Sequence, residues 1–409
     1  MTPILTKIFR DNWDKAVEES DSIEMKRPAV IKNVKKIINC KTLKIGVRAF
    51  KCENPKCNHT IYSPNTCKSR VCPSCAFKAT LNWQGAFLHR VIQSEYQHIV
   101  FSGPALLKEL FISGNRKLVI NAMYSAASKS ILEFCKKREG YLPGIMGVFQ
   151  SFGKSLNEHP HIHMIRTAGG ISLDDGKTWI DSCYLPEKML KARFKAKVLK
   201  ALRALFREGE IKGYLGKMSY AEFNKKLNAI HETNWFVWIG NTEEADNFIP
   251  YFYISRYLFR ACISSKRIVD YAKGLYVRWL PQSKYKLSKT QAFKDTVVAF
   301  IEKIIVHIPD EYVHNIRYSG LYAPKYRKTY YRSAQEHFKK KNPHGLEKLK
   351  EHIPMKWADL IEMAFDKNPL ECPECGSKMK FVKLIFFSKI ELDELELREH
   401  QIIAKEEPG

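Results

Sequence analysis

Three histidines and two tyrosines are the residues of this chain best placed to do chemistry. His161 and His163 stand two residues apart in the run His159-Pro160-His161-Ile162-His163. On a strand, alternate side chains share a face, so the two imidazoles would lie about 6–7 Å apart along the chain and can grip one divalent cation. Tyr253 and Tyr257 are four residues apart, one turn of a helix, so two phenols can address the same small volume. A metal-polarised phosphate beside a pair of tyrosines is equipment for transesterification of a nucleic-acid backbone.

Each pair also has a plainer reading. A lone His-x-His is usually solvated or packed, but here Ile162, Met164 and Ile165 flank it, and two polar rings on one face of an apolar strand need a partner. Pro160 delays regular strand pairing, which leaves His159 at the edge as a candidate third ligand, with Glu158 and Gln150 as rivals. A packed aromatic stripe would account for Tyr253 and Tyr257, given Tyr251, Phe252 and Phe259 nearby. Against that, Arg256, Arg260, Lys266 and Arg267 are odd neighbours for purely structural rings. A phenol with a pKa of about 10 is only about 0.1% ionised at pH 7, so a tyrosine nucleophile needs cations, a base or a metal. Arg256 and Arg260 are candidate charge stabilisers.

The elements that must position these residues follow from periodicity. Residues 1–38 read as a helical lead-in, and His98 to Phe101 as a strand that ends in Ser-Gly-Pro. A helical tract runs from about Leu106 to Arg138, with Ile120, Tyr124, Ala127, Ile131 and Cys135 at helical spacing. Val148–Phe152 and His161–Ile165 look like an antiparallel pair joined by a short polar loop, which sets the histidines in a sheet. A basic helix follows from about Glu187 to Arg207, then a strand at 235–239, and Pro250 suits the first turn of a helix carrying both tyrosines. Beyond them lie a strand near Leu275–Trp279, a helix over about 290–306 and a basic, tyrosine-rich segment that includes Arg327.

Eleven cysteines are present, six of them between Cys40 and Cys75 and two more in Cys372-Pro-Glu-Cys375. Such clustering points to thiolate metal sites rather than disulfides. Cys52-x4-Cys57 and Cys72-x2-Cys75 suit one four-thiolate structural zinc, with Cys40, His59 and Cys67 as possible substitutes or the start of a second site. Cys372 and Cys375 form half a zinc ribbon with no obvious second half; the missing ligands would come from His344 or His352, from leftover N-terminal cysteines, or not exist at all. Lys51, Lys56, Lys68 and Arg70 would rim the N-terminal module and face DNA, unless they are simply a solvated basic face. The formal charge is +25, for which a phosphate polymer is the most economical partner. No run of about 18 apolar residues exists, so the expectation is a cytoplasmic, nucleoid-associated protein with no membrane partner. There is also no Gly-x4-Gly-Lys-Ser/Thr phosphate loop, so no nucleotide cofactor is expected.

The segment from Phe149 to His163, followed by Gly169-Gly170, resembles the metal motif of HUH endonucleases in the form found in rolling-circle insertion-sequence transposases of bacteria. Tyr253 to Ile268 is similar to their two-tyrosine helix. The likeness extends to Cys52–Cys75 with Trp83, to His307-Ile-Pro-Asp310, to Ile316–Tyr322 and to Cys372–Gly376, and so covers most of residues 40–385. The resemblance implies single-stranded DNA cleavage at element ends through 5′-phosphotyrosine, with magnesium or manganese on the histidines and an N-terminal transposase zinc-binding domain. The alternatives are an HUH replication initiator or relaxase using the same chemistry, and a zinc-dependent DNA-binding regulator without catalysis.

The expected fold is α+β: an antiparallel-sheet nuclease core flanked by helices, a small zinc-binding module and a mainly helical C-terminal region. The expected divisions are 1–38 (helical lead-in), 39–92 (zinc-binding, DNA recognition), 93–282 (nuclease), 283–370 (helical, basic), and 371–409 (Cys-Pro-Glu-Cys knuckle and acidic tail). Lys266, Arg267 and Arg327 complete the expected DNA contacts.

Overall fold

The computed structural model describes residues 4–88, 90–105, 107–243, 260–283, 291–343, 368 and 370–388. It is α+β, as expected, and falls into two units. The first comprises residues 1–82, 260–308 and 354–409, and the second residues 83–259 and 309–353.

In the first unit, helices α1 (Ile4–Glu19) and α2 (Pro28–Ile38) precede a hairpin of β1 (Val47–Cys52) and β2 (Thr60–Pro64). Helix α3 (Pro73–Leu88) begins directly after Cys72. The α1 side chain of Asn12 donates to Tyr271 Oη and accepts from the Gly274 N–H, which ties α1 to a small sheet of β8 (Ile268–Ala272), β9 (Tyr276–Trp279) and β10 (Phe293–Thr296). Helix α8 (Val297–Ile305) follows, started by Thr296, whose hydroxyl accepts from the Ala299 N–H. The helix expected over 290–306 thus begins later, because its first turn is spent as β10. A last strand, β12 (Met379–Ile385), returns to pair with β1, giving the sheet order β12-β1-β2.

The second unit is built on a long hairpin, β4 (Tyr141–Phe152) and β5 (Glu158–Ser172). Its turn closes with the Gly153 N–H donating to Asn157 O at 2.9 Å. The sheet runs β11 (Ile316–Gly320), β4, β5, β3 (Tyr96–Ser102), β7 (Phe236–Glu243), with the short β6 (Trp179–Ile180) paired to β5. One face, with Ile99, Phe101, Phe149, Ile162, Met164 and Val237, packs on α4 (Leu107–Leu110), α5 (Arg116–Arg138), α6 (Glu187–Arg207) and α7 (Tyr220–Glu232). Helix α6 fits its expected span, and Leu190, Phe194, Val198 and Leu202 form its buried stripe. Each such fully buried apolar side chain contributes about 1.5–3 kcal/mol. The opposite face is covered over Met146, Val148 and Ile165 by Phe87, Tyr322, Tyr331 and Phe338, the last two on α9 (Tyr330–Lys341).

Two differences from the expected divisions have physical causes. The β8–β9 strands lie within the span 93–282 yet belong to the first unit, held there by α1. Conversely β11, within the span read as helical and basic, completes the central sheet. It ends at Gly320 with φ of 59°, where a Cβ would come within 1.8 Å of Pro143 O, so only glycine fits. Part of the tyrosine-rich segment is therefore core: Tyr322 is buried, its hydroxyl paired with that of Tyr96 at 2.5 Å.

Candidate active site and metal centres

The register places the histidines. Strand β5 lies between β4 and β3, with Gln150 and Ser102 opposite His161, and Val148 and Val100 opposite His163. Both imidazoles are buried, and their Nε2 atoms stand 3.1 Å apart. Two nitrogens bound at about 2.1 Å and roughly at right angles on one ion would be about 3.0 Å apart, so the pair fits a single cation. His161 Nδ1 lies 2.6 Å from the His159 carbonyl oxygen, which can only accept. His161 therefore carries its proton on Nδ1 and turns an unprotonated Nε2 toward His163. Burial pushes the His161 pKa down to about 4, which keeps the ring neutral at physiological pH.

His98, on β3, is a site residue that sequence reasoning missed. Its Nε2 lies 2.9 Å from His163 Nδ1 and the two rings stack at 5.1 Å. Burial depresses its pKa to about 4 as well. A partner on the far nitrogen of a ligating histidine fixes which nitrogen faces the ion. The available signal was its place in the strand preceding the histidine hairpin.

The third-ligand candidates separate by face. Glu158 alternates away from the histidines and meets Lys108 at 3.2 Å and Arg116 at 3.9 Å. His159 is on the correct face, but its Nε2 is 3.3 Å from Ser102 Oγ. Among the described residues no third His, Cys, Asp or Glu gathers with His161 and His163. Gln150, buried and opposite His161, is the rival that shares their face. Tyr253, Arg256 and Tyr257 lie outside the described residues. Arg260 is described, half-buried, at the start of the returning segment of the first unit.

The cysteines gather differently from the expected single set. Cys52 and Cys57 do not share a site with Cys72 and Cys75; instead Cys40, Cys67, Cys72 and Cys75 form one cluster, and Cys52, Cys57, Cys372 and Cys375 another. The reason is β12: its pairing with β1 puts Met379 opposite Cys52 and brings the Cys372–Cys375 knuckle to the same end of the sheet. The half ribbon finds its second half more than 300 residues away in sequence. Sulfur separations are 3.4–4.0 Å in the first cluster and 3.6–3.8 Å in the second. Four thiolates at about 2.3 Å from a tetrahedral zinc stand about 3.8 Å apart, whereas a disulfide needs about 2.05 Å. Backbone N–H groups of Cys67, Ser69 and Asn54 point at Cys40, Cys67 and Cys52 sulfurs, as thiolates require. His59 joins neither cluster.

Two family models match the chain: one described as "Putative transposase" over residues 144–329, and one described as "Transposase zinc-binding domain" over residues 8–103. The transposase for insertion sequence element IS801 of Pseudomonas savastanoi pv. phaseolicola is 28% identical over 389 residues, 93% of this chain and 90% of that protein. "Putative transposase y4qJ" of Sinorhizobium fredii (strain NBRC 101917 / NGR234) is 25% identical over 351 residues, 82% of this chain and 84% of that protein. No solved structure matches the chain.

The chain matches the transposases of the IS91 family.

A transposase of this type acts on DNA, and the two four-cysteine clusters suit the structural zinc that the matched zinc-binding domain is named for. The second cluster draws Cys372 and Cys375 from beyond the matched zinc-binding span. Around the clusters Lys51, Lys56 and Lys68 are exposed and Arg70 half-buried. Half-buried Lys78, which was not among the expected contacts, has its pKa lowered by burial and by Arg48 and Lys68. In the transposase Arg267 is spent internally, donating to Leu280 O at 2.7 Å and Cys262 O at 3.1 Å. Lys266 and Arg327 are exposed. Among the described residues no helix is long and apolar enough to cross a membrane.

Proposed function

We propose that this transposase cuts and rejoins single-stranded DNA at the ends of its element through 5′-phosphotyrosine intermediates, in a rolling-circle type of transposition. The observation that carries the reading is the 3.1 Å approach of the His161 and His163 Nε2 atoms, with His161 held in the metal-binding tautomer by a carbonyl. Magnesium or manganese held by these nitrogens, with Gln150 as the third donor, would polarise the scissile phosphate.

The Tyr253 or Tyr257 phenol loses its proton to solvent, and its oxygen attacks phosphorus. The bond from phosphorus to the 3′ oxygen breaks, and that oxygen takes up a proton. The products are a tyrosine linked to the 5′ phosphate and a free 3′ hydroxyl. The second tyrosine cuts a second strand in the same way; a 3′ hydroxyl then gives up its proton and attacks the phosphorus of a phosphotyrosine, the bond from phosphorus to the tyrosine oxygen breaks, the phenol regains a proton, and the new ends are joined. Arg256 and Arg260 balance charge on the phosphate, and because the ester bond energy is conserved, no nucleotide is consumed. The lysines and Arg70 around the zinc clusters grip the element's end, and Lys266 and Arg327 add phosphate contacts.

The test incubates the zinc-loaded protein with labelled strands spanning the element's ends. A denaturant-resistant protein–DNA adduct is expected with single strands plus magnesium or manganese. None is expected with duplex, without the ion, or with Tyr253→Phe/Tyr257→Phe, which still binds DNA. An adduct that persists in the double variant would overturn the nucleophile assignment. His98→Ala should weaken manganese binding about 10–100-fold by calorimetric titration, through the loss of His163 orientation. Unchanged affinity would remove His98 from the site.

A further inference from the structure

The histidine face carries two more side chains that strand cleavage leaves unused. Strand β7 pairs with β3 so that Phe236 is opposite Ser102 and Trp238 opposite Val100. Residues directly opposite in an antiparallel pair share a face. Two rows therefore cross the sheet: Gln150, His161, Ser102, Phe236 and, beside it, Val148, His163, Val100, Trp238. Val237 between them is buried in the opposite face, against the helices.

Both rings stand in the open. Phe236 is 52% exposed and Trp238 42%. Two large exposed rings side by side, in register with a pair of metal-binding histidines, are informative in a way that a scattered surface leucine is not. Trp238 is also held in place. Its indole meets the His98 ring edge-on at 5.4 Å and 73°. It leans over Gly240 so closely that a Cβ there would stand 2.8 Å from it. His98 thus touches both His163 and Trp238 and links the ion's ligands to the aromatic pair.

We propose that Phe236 and Trp238 form a stacking platform for unpaired bases beside the phosphate that His161 and His163 address. The proposal rests on the reading that single-stranded DNA is the substrate. From β5 to β7 is two strand spacings, about 10 Å. That is the reach of about one or two nucleotides of an extended strand. Aromatic faces accept any base, and only bases free of a duplex can lie on them, so the platform selects single strands without selecting sequence. The chain's charge of +25 complements the phosphates that follow.

The experiment measures binding, not cleavage, so it stands apart from the adduct test. Full-length zinc-loaded Tyr253→Phe/Tyr257→Phe protein is titrated, by fluorescence anisotropy, with a labelled oligothymidylate of about twelve nucleotides and with a strand of equal length and charge made of abasic residues. The ordinary strand should bind at least about tenfold more tightly than the abasic one. Phe236→Ala/Trp238→Ala should remove that preference and leave abasic-strand affinity within about twofold, while Phe236→Tyr/Trp238→Phe retains it. Equal binding of both strands by the parent protein overturns the platform, and this arm needs no aromatic variant to fold. A double alanine variant that keeps the preference, or that loses both strands equally at unchanged zinc content, also overturns it; the exposed rings are then a protein-docking patch or structural. Adduct failure with the preference intact would instead strike the cleavage reading alone.

Discussion

His161→Ala or His163→Ala should lower ion-dependent strand cleavage by at least about a thousandfold, the loss of roughly 4 kcal/mol of transition-state stabilisation. Binding of single-stranded DNA should fall far less, by no more than about tenfold, because most phosphate contacts lie away from the ion. The two variants should be equally damaged, and combining them should add little, since both remove the same ion. The measurement is single-turnover cleavage with manganese in excess. Cleavage within about tenfold of the parent in either variant would mean that the Nε2 pair is not the ion's seat.

Zinc should prove as large an effect on the fold. Elemental analysis is expected to find two zinc ions per chain, one for each four-cysteine cluster. Cys72→Ser should lose one and Cys372→Ser the other, and each variant should keep its neighbour's ion. Structural zinc contributes about 10–16 kcal/mol of binding in small zinc-finger peptides, so loss of the second ion should free β12 from β1. Rapid hydrogen exchange over residues 379–385 in Cys372→Ser, with β4 and β5 still protected, is the expected signature. One zinc per parent chain would refute the two-cluster arrangement.

Much of the candidate site was legible because its signals are local. The two-residue spacing of His161 and His163 survives any sheet arrangement, and the α6 stripe from Leu190 to Leu202 fits a single helix face. What stayed hidden depends on chain segments distant in sequence. Cys52-x4-Cys57 pairs with Cys372 and Cys375 only because β12 returns, and spacing within 52–75 says nothing of that return. Strands β4 and β5 are longer than their alternating stretches because both faces are buried, which erases the polar half of the pattern. His98 became a site residue through cross-strand register, as did Phe236 and Trp238, whose strand was readable but whose face was not. β11 escaped because Ile316-Arg-Tyr-Ser-Gly320 has the composition of a basic turn and becomes a strand only against β4.

The central claim is that a phenol of this protein, rather than water, breaks the phosphodiester beside His161 and His163. Its most direct test is to trap the covalent complex, digest both protein and DNA, and locate the modified residue by peptide mass spectrometry. A nucleotide on Tyr253 or Tyr257 is the predicted result. Strand scission that leaves a free 5′ phosphate and no nucleotide on any peptide would contradict it.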